Sequence, residues 1–263
     1  MSTPENHIPE IPLTPPVTLA PTSPPPAENP PWNLWDVAGL TIITVITMTG
    51  CLLAGAHFVH RHFAPAIPWV ELTKRHDVLV GAQFVTYVLL LVVMYLMVET
   101  QSQGKAWEAI RWNWPKNWGA YLTAGVGMQV CLLVLASLLP MPKHAPIDEF
   151  FRTTRDAWIV SLFGVLFAPI FEEVYFRGLL YPALARRLGT PVSVVITALF
   201  FAAIHGPQLS EAWGPVLVIF LVGLTLTTVR AVKKSVAATV LMHMAYNCTI
   251  FTAAYYEIGR AHV

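Results

Sequence analysis

The chain has 263 residues, of which 55% are hydrophobic and only 12% are charged, and its mean hydropathy is +0.57. These values predict an integral membrane protein rather than a soluble globule. The formal net charge of +1 leaves no basic stripe that could neutralise a phosphate backbone, so nucleic acid is not expected as a partner. The three cysteines lie singly in apolar runs, which favours buried hydrophobes over a disulfide framework or a thiolate metal site.

The N-terminal segment differs in composition from the rest of the chain. Residues 1–31 contain half of the 22 prolines, no Lys or Arg and no apolar periodicity. Such a segment cannot bury enough apolar surface to fold alone, so the sequence predicts a disordered, partly polyproline-II tail. Residues 32–263 are then expected to form the transmembrane helical domain. Trp32 and Trp35, at the boundary, fit interfacial anchors.

Apolar stretches of about 20 residues each, the length that spans a bilayer, follow the tail. They are expected near 36–58, 77–98, 118–139, 157–180, 191–206, 214–230 and 235–256. The predicted fold is therefore all-α, a polytopic transmembrane bundle of about seven helices that encloses a polar intramembrane site. Lys and Arg are distributed almost evenly between alternate loops, so the positive-inside rule does not orient the bundle.

Three charged residues interrupt the fourth apolar stretch: Glu172, Glu173 and Arg177. Charged side chains inside a bilayer cost roughly 2.5–3.5 kcal/mol each on insertion scales, so they are expected to pair or to serve a function. Glu173 and Arg177 are four residues apart, which predicts an ion pair on one helix face. Glu172 points about 100° away from Glu173 and is left over. A leftover carboxylate in an apolar setting suits proton transfer near neutral pH, or binding of a metal.

Polar residues recur in two later apolar stretches. His205 follows Phe201 by four residues, so the aromatic ring is predicted to pack against the imidazole. His243 and Asn247 are also four apart and are predicted to project from one face of the last helix. Each of these residues could instead form an ordinary interhelical hydrogen bond, but a carboxylate and two imidazoles in three separate spans favour a common site.

Together these groups supply the parts needed for hydrolysis. A glutamate and a histidine can deprotonate water, while a second histidine and an amide can stabilise the developing oxyanion. Glu172, His205 and His243 also have the composition of a catalytic zinc site with one position left for water. Neither an HExxH motif nor a GxSxG nucleophile elbow is present. Metal-dependent and metal-free mechanisms both remain open.

The three motifs resemble one known family. Glu172-Glu173-x-x-x-Arg177, Phe201-x-x-x-His205 and His243-x-x-x-Asn247 occur in this order on successive apolar stretches, as in the CPBP family of intramembrane proteases. That family contains the Rce1-type CAAX prenyl endopeptidases and the bacteriocin-processing or immunity-type Abi proteins. The resemblance covers residues from about 157 to 250, the expected protease-like core.

The resemblance implies an intramembrane endopeptidase that hydrolyses a peptide bond of a membrane-associated or lipidated protein or peptide. Glu172 and His205 would activate water, and His243 and Asn247 would stabilise the oxyanion. The supporting positions would be the remaining members of the motifs, Glu173, Arg177 and Phe201. The family is usually labelled metalloprotease, so zinc is the expected cofactor if one is used. The expected location is the plasma (inner) membrane of a bacterium, where the partners would be the lipid bilayer and the substrate.

Two other classes of function fit the same residues. The protein could be a non-proteolytic membrane scaffold or immunity-type factor that uses the polar cluster for partner binding. It could also be a proton-coupled transporter, because intramembrane Glu and His build proton relays as well. The sequence shows no internal repeat of the kind common in transporters, which counts against this third reading.

Overall fold

A computed structural model describes residues 28–142, 148, 153–210 and 212–261, with side chains up to residue 252. Every regular element in these residues is helical, which confirms the predicted all-α class. Seven long helices follow one another: α1 Leu34–His62, α2 His76–Gln101, α3 Trp118–Ala136, α4 Thr154–Leu188, α5 Thr190–His205, α6 Trp213–Lys233 and α7 Val236–Ala261. Short helical turns occur in the connections, at Trp69–Leu72, Ala106–Ala109 and Gly206–Leu209.

The long helices coincide with the seven predicted spans. α1 to α4, α6 and the continuous segment Thr190–Leu209 are long and apolar enough to cross a membrane. The described side chains of α7 form a shorter apolar stretch, Val236–Thr252. The main difference concerns α4, which is longer at both ends than the predicted span 157–180. Its extension is possible because the flanking polar residues 154–156 and 186–187 are good helix formers or caps and need no apolar environment.

Local chemistry fixes several helix ends. Asn33 and Asp36 form a capping box at the start of α1, with the Asn33 amide N–H donating to Asp36 Oδ2 over 2.8 Å. α4 ends at Gly189, whose φ of +72° only glycine adopts without strain. Ser235 caps α7, because its Oγ accepts from the Ala238 N–H at 3.1 Å.

α4 occupies the centre of the bundle, where half of its most apolar window is buried, a larger share than in the other spans. α5 packs mainly against α6, α3 against α7, and α1 against α2. Gly125 permits the close approach of α3 and α7, since a Cβ there would collide with the Met242 carbonyl. The helices with the least buried windows are α1 and α3, whose exposed apolar side chains suit contact with lipid.

The end of the predicted tail is docked on the bundle. Residues 1–27 lie outside the described residues, but Glu28, Pro30 and Trp32 are buried. The Trp32 indole Nε1–H donates to the Leu179 carbonyl of α4 over 3.0 Å, and the Arg186 guanidinium donates to the Pro30 carbonyl over 2.9 Å. Trp32 is thus a core residue and not the interfacial anchor expected from its position. The periodicity of apolar residues in the sequence could not predict this docking, because the contacts are isolated hydrogen bonds to residues about 150 positions away.

Candidate active site

The two adjacent glutamates lie on the central helix between two π-helical stretches. Phe163–Phe167 and Val174–Leu180 have π geometry, and the α-helical turn Ala168–Glu173 between them contains Glu172 and Glu173. A π segment alters the direction in which neighbouring side chains project, and such segments are frequent at functional sites. Both carboxylates are buried, Glu173 fully and Glu172 with 8% of its surface exposed.

Glu173 forms the predicted ion pair with Arg177. The Arg177 Nη1 donates to Glu173 Oε1 over 2.8 Å, and both side chains are completely buried. The same carboxylate oxygen accepts from His243 Nδ1 at 2.9 Å. The i, i+4 pairing is thereby confirmed, and a histidine of α7 joins it. Glu173 Oε2 has no hydrogen-bond partner among the described residues.

Arg177 uses its other donors to hold α4 against α6. Its Nη2 donates to the Gly223 carbonyl at 3.0 Å, and its Nε donates to Thr227 Oγ1 at 3.2 Å. The guanidinium carbon also lies 4.6 Å from the centre of the Phe201 ring of α5. Arg177 therefore donates from all three of its nitrogens, which is what makes a fully buried guanidinium tolerable.

Glu172 faces the other edge of the same imidazole. Its Oε2 lies 3.8 Å from His243 Nε2, so His243 has one carboxylate at each ring nitrogen. Glu173 is held ionised by Arg177 and can only accept, so we assign the proton on the Glu173 side to His243 Nδ1. In the neutral imidazole, the lone pair is then on Nε2, which lies 3.8 Å from Glu172 Oε2. Glu173 thereby holds the ring in this tautomer.

His205 is held by the residue one turn before it. Its Nδ1 lies 2.7 Å from the Phe201 carbonyl oxygen, which leaves Nε2 as the free ring nitrogen. The Phe201 ring packs against both histidines, at centroid distances of 4.7 Å from His205 and 5.9 Å from His243. The predicted packing of Phe201 on His205 is confirmed. No hydrogen bond or ion pair joins Glu172 to His205 in the described part of the chain.

Asn247 is directed at a different element from His243. Its Nδ2 donates to the Gly164 carbonyl over 2.7 Å, within the first π stretch of α4. His243 and Asn247 do share one face of α7, but that face contacts two points on α4, at Glu172–Glu173 and at Gly164. One Nδ2 proton and the amide oxygen of Asn247 remain for other partners.

In the part of the chain that the structure describes, the polar centre does not bring together the ligands of a metal site. Among the described residues, no group of three or more His, Cys, Asp or Glu side chains is close enough to hold an ion. Glu172 and His243 Nε2 could supply two ligands, but Nδ1 of His243 is engaged by Glu173 and His205 does not join them. The arrangement thus does not fit the predicted three-ligand zinc site, and the zinc hypothesis stays a prediction on which nothing below depends.

Two functional contacts were missing from the sequence prediction. Thr227 and Gly223 provide the acceptors that complete the donor set of Arg177. Gly223 also permits close approach of α5, since a Cβ there would lie 3.1 Å from the Ala198 Cα. Their only signal in the sequence is a threonine four residues after a glycine within an apolar run, a pattern too common in membrane helices to single out.

The fold and the polar centre define the class of protein: an integral, multi-pass membrane protein with an ionisable cluster buried among its helices. Residues 154–249 match the model of one protein family, described as type II CAAX prenyl endopeptidase Rce1-like. The matched segment begins with α4 and contains all seven predicted site residues. The resemblance to the CPBP proteases that the three motifs predict is therefore confirmed, as a match to the Rce1-like family over residues 154–249. No curated protein and no solved structure gives a significant match.

Proposed function

We propose that this protein hydrolyses a peptide bond of a membrane-associated protein or peptide, with Glu172 as the base that activates water. The observation that carries the proposal is that the two glutamates have different partners. Arg177 neutralises Glu173 at 2.8 Å, whereas Glu172 faces the imidazole of His243 at 3.8 Å. A carboxylate that is free of a permanent counter-ion and lies next to a titratable ring can accept and release a proton within one turnover.

The remaining predicted residues take the following roles in this proposal. Glu173 is a positioning residue, because it holds the His243 ring through Nδ1. His243 Nε2 and His205 Nε2 are the nitrogens available to a substrate, and in protonated form each can donate to the oxyanion of the tetrahedral intermediate. Asn247 contributes its second amide proton to the same oxyanion while the first stays on Gly164.

The proposed reaction is a direct attack of water on the peptide bond and forms no covalent enzyme intermediate. Glu172 takes a proton from water, and the hydroxide adds to the scissile carbonyl carbon to give the tetrahedral oxyanion. The C–N bond then breaks, and the nitrogen of the departing amine takes up the proton from Glu172. Such general acid–base steps are typically worth about 10²–10⁴-fold in rate.

Cleavage of a library of membrane-anchored peptides by the purified protein tests this proposal. Glu172→Gln is expected to lower the rate by about 10²–10⁴-fold, because it keeps the volume of the side chain and removes its basicity. Glu71→Gln is the matched control, since Glu71 is exposed and forms only a surface pair with Lys74. His205→Ala is expected to reduce cleavage as well, with thermal unfolding measured for every variant.

Other outcomes of these experiments would support a different base, a different class of function or a metal-dependent mechanism. Cleavage that survives Glu172→Gln at the wild-type rate would overturn the assignment of the base. Cellular function without any cleavage, unchanged in Glu172→Gln, would instead favour the scaffold class, and a pH-driven flux in proteoliposomes would favour a transporter. Loss of cleavage with chelator, restored by zinc, would establish metal dependence. The bacterial inner membrane remains the predicted location.

A further inference from the structure

A second polar cluster lies at one end of the bundle, away from the candidate active site. At this end α4 and α6 terminate, α7 begins and the connection between α2 and α3 crosses over, with the Val236 N–H donating to the Arg111 carbonyl over 2.9 Å. Its basic side chains, which we call the basic end, are Lys105, Arg111, Arg186, Arg187, Lys233 and Lys234. Basic residues at the end of spanning helices lie at the level of lipid headgroups.

Arg230, three residues before the end of α6, is fully buried beneath this surface. Its Nη1 donates to Glu28 Oε1 over 3.0 Å, and its guanidinium carbon lies 5.5 Å from the centre of the Tyr181 ring. Glu28 comes from the segment before α1, so the charge of Arg230 is compensated by a residue 202 positions away. The second oxygen of Glu28 lies 3.9 Å from Arg111 Nε, so this carboxylate lies between two arginines.

The carboxylate leaves part of Arg230 unsatisfied. Nε and Nη2 are buried and have no hydrogen-bond partner among the described residues. These two nitrogens form an edge of the guanidinium fork that binds carboxylates and phosphates through paired bonds. A buried donor without an acceptor destabilises the fold, so an acceptor that reaches it is favoured. The site therefore offers more donors than the single side chain that occupies it can use.

The cluster borders a polar cavity of about 330 Å³. Glu28 and Arg111 line the cavity together with Lys105 on the basic side and Glu108 on the acidic side. Arg111 is 42% exposed and its backbone is held at a φ of +62°, so the side chain can reach the cavity from a fixed position. Without Glu28, this region would contain three cationic side chains and one carboxylate. An anion could enter from the headgroup level.

We propose that Arg230 and Arg111 form a binding site for a phosphate group, and that Glu28 occupies this site from within the chain as a competing carboxylate. A phosphate has more acceptor oxygens than a carboxylate, arranged around one centre, and so can satisfy the donors that Glu28 leaves open. The source of the phosphate is either the headgroup of an anionic lipid or a free phosphate ion. Because Arg230 and Glu28 take no part in the proposed hydrolysis, the inference does not depend on the proposed function.

Thermal unfolding of Glu28→Gln tests the site directly. The variant removes the competing charge, so its unfolding temperature is expected to fall below that of the wild type in chloride. Phosphate at tenfold excess over its dissociation constant, at matched ionic strength, is expected to raise it by about 3–6 °C. Glu28→Gln/Arg230→Met should show no such rise, and Glu108→Gln, which alters a carboxylate of the same cavity, should behave as the wild type.

The same variants in phosphatidylcholine nanodiscs, with or without phosphatidylglycerol, distinguish the two sources. If phosphatidylglycerol raises the unfolding temperature of Glu28→Gln and free phosphate does not, the ligand is a lipid headgroup. If free phosphate alone raises it, the ligand is a soluble anion. An equal response of Glu28→Gln to phosphate and chloride, together with no response to phosphatidylglycerol, would overturn the proposal. An anion effect that persists in Glu28→Gln/Arg230→Met would overturn it as well.

A second measurement does not require Glu28→Gln to fold. Native mass spectrometry of the wild type, extracted from phosphatidylglycerol-containing membranes and exposed to free phosphate, is expected to show a retained phospholipid or a bound phosphate. Arg230→Met should lower its occupancy at least threefold, and Glu108→Gln should leave it unchanged. Equal occupancy in the wild type and Arg230→Met would contradict the assignment to Arg230.

Discussion

Two glutamate–arginine pairs are buried among the described residues, and they differ in how completely the arginine is satisfied. Arg177 donates to Glu173, Gly223 and Thr227 from all three of its nitrogens. Arg230 donates to Glu28 from one nitrogen, and its other two have no acceptor in the described part of the chain. Both arginines contact α6 or belong to it, and both are completely shielded from solvent. The difference therefore lies in the acceptors that surround them.

The contrast indicates what each pair does. A buried ion pair gains little net stability unless hydrogen bonds satisfy its remaining groups. The guanidinium of Arg177 meets this condition, although Glu173 Oε2 has no partner among the described residues, so the cluster fits a rigid support that fixes Glu173 and through it His243. The Arg230 cluster does not meet it, and its carboxylate comes from a segment that precedes the first helix. The first cluster is suited to hold the His243 ring in place, and the second to exchange one anion for another.

Arg177→Met is expected to have the largest effect on stability. It leaves Glu173 buried without a counter-ion and opens the acceptors on α6, which should cost about 3–5 kcal/mol of unfolding free energy. Cleavage should be lost at the same time, because Glu173 no longer holds His243 in one tautomer. Titration with a denaturing detergent measures the first effect and peptide cleavage the second. A variant as stable as the wild type would show that the Arg177 cluster is not the support inferred here.

Gly223→Ala should disturb the same cluster from its other side. The new Cβ would lie 3.1 Å from the Ala198 Cα and 3.2 Å from the Phe201 ring, so α5 and α6 must separate. Overpacking of this kind costs about 1–3 kcal/mol. Gly127→Ala is the matched control, because nothing lies within 4 Å of its Cβ and alanine is the better helix former. If the two substitutions have equal effects on the unfolding midpoint, the close approach at Gly223 is not important for stability.

Arg230→Met should destabilise the protein less than Arg177→Met does, by about 1–2 kcal/mol. The substitution removes two donors that are already unsatisfied, and Glu28 borders a polar cavity into which its carboxylate can turn. Adding Glu28→Gln should recover part of the loss, since both charges are then absent. Detergent titration of the single and double variants checks this order. A cost for Arg230→Met as large as that for Arg177→Met would remove the distinction between the two clusters.

The sequence predicted the first cluster much better than the second, for a physical reason. Glu173 and Arg177 are one helical turn apart, so helix periodicity alone puts them together. Three spaced motifs also identified the family and most of the polar centre. Contacts between helices were harder to predict from the sequence. Glu172 was predicted to act with His205, whereas in the structure His243 lies between the two glutamates. No local pattern predicts which imidazole edge meets which carboxylate across three helices.

Glu28 and Trp32 were assigned to the edge of a proline-rich tail for the same reason. Composition reports whether a segment can fold alone, but not whether a few of its residues have partners on an existing bundle. Glu28 is one of three acids among the prolines of residues 1–31, and its partner is 202 residues away. Such a long-range pair leaves no periodic signal. Arg230 lies three residues before the end of α6, next to the basic residues Lys233 and Lys234, and nothing in the sequence distinguishes it as a fully buried side chain.

Trp32→Phe is expected to give the smallest effect and to test whether the docked segment is held by specific contacts. The substitution keeps an aromatic ring in the core and removes the N–H that donates to the Leu179 carbonyl in the second π stretch of α4. The lost hydrogen bond should cost about 1 kcal/mol. Trp35→Phe, three residues later and 80% exposed, should change the unfolding free energy by less than about 0.5 kcal/mol. Cleavage should stay within about twofold in both variants, because the Arg177 cluster is untouched. Equal destabilisation by the two substitutions would mean that the Trp32 hydrogen bond does not hold the segment, which would then be fixed to the basic end by Glu28 and the Pro30 carbonyl.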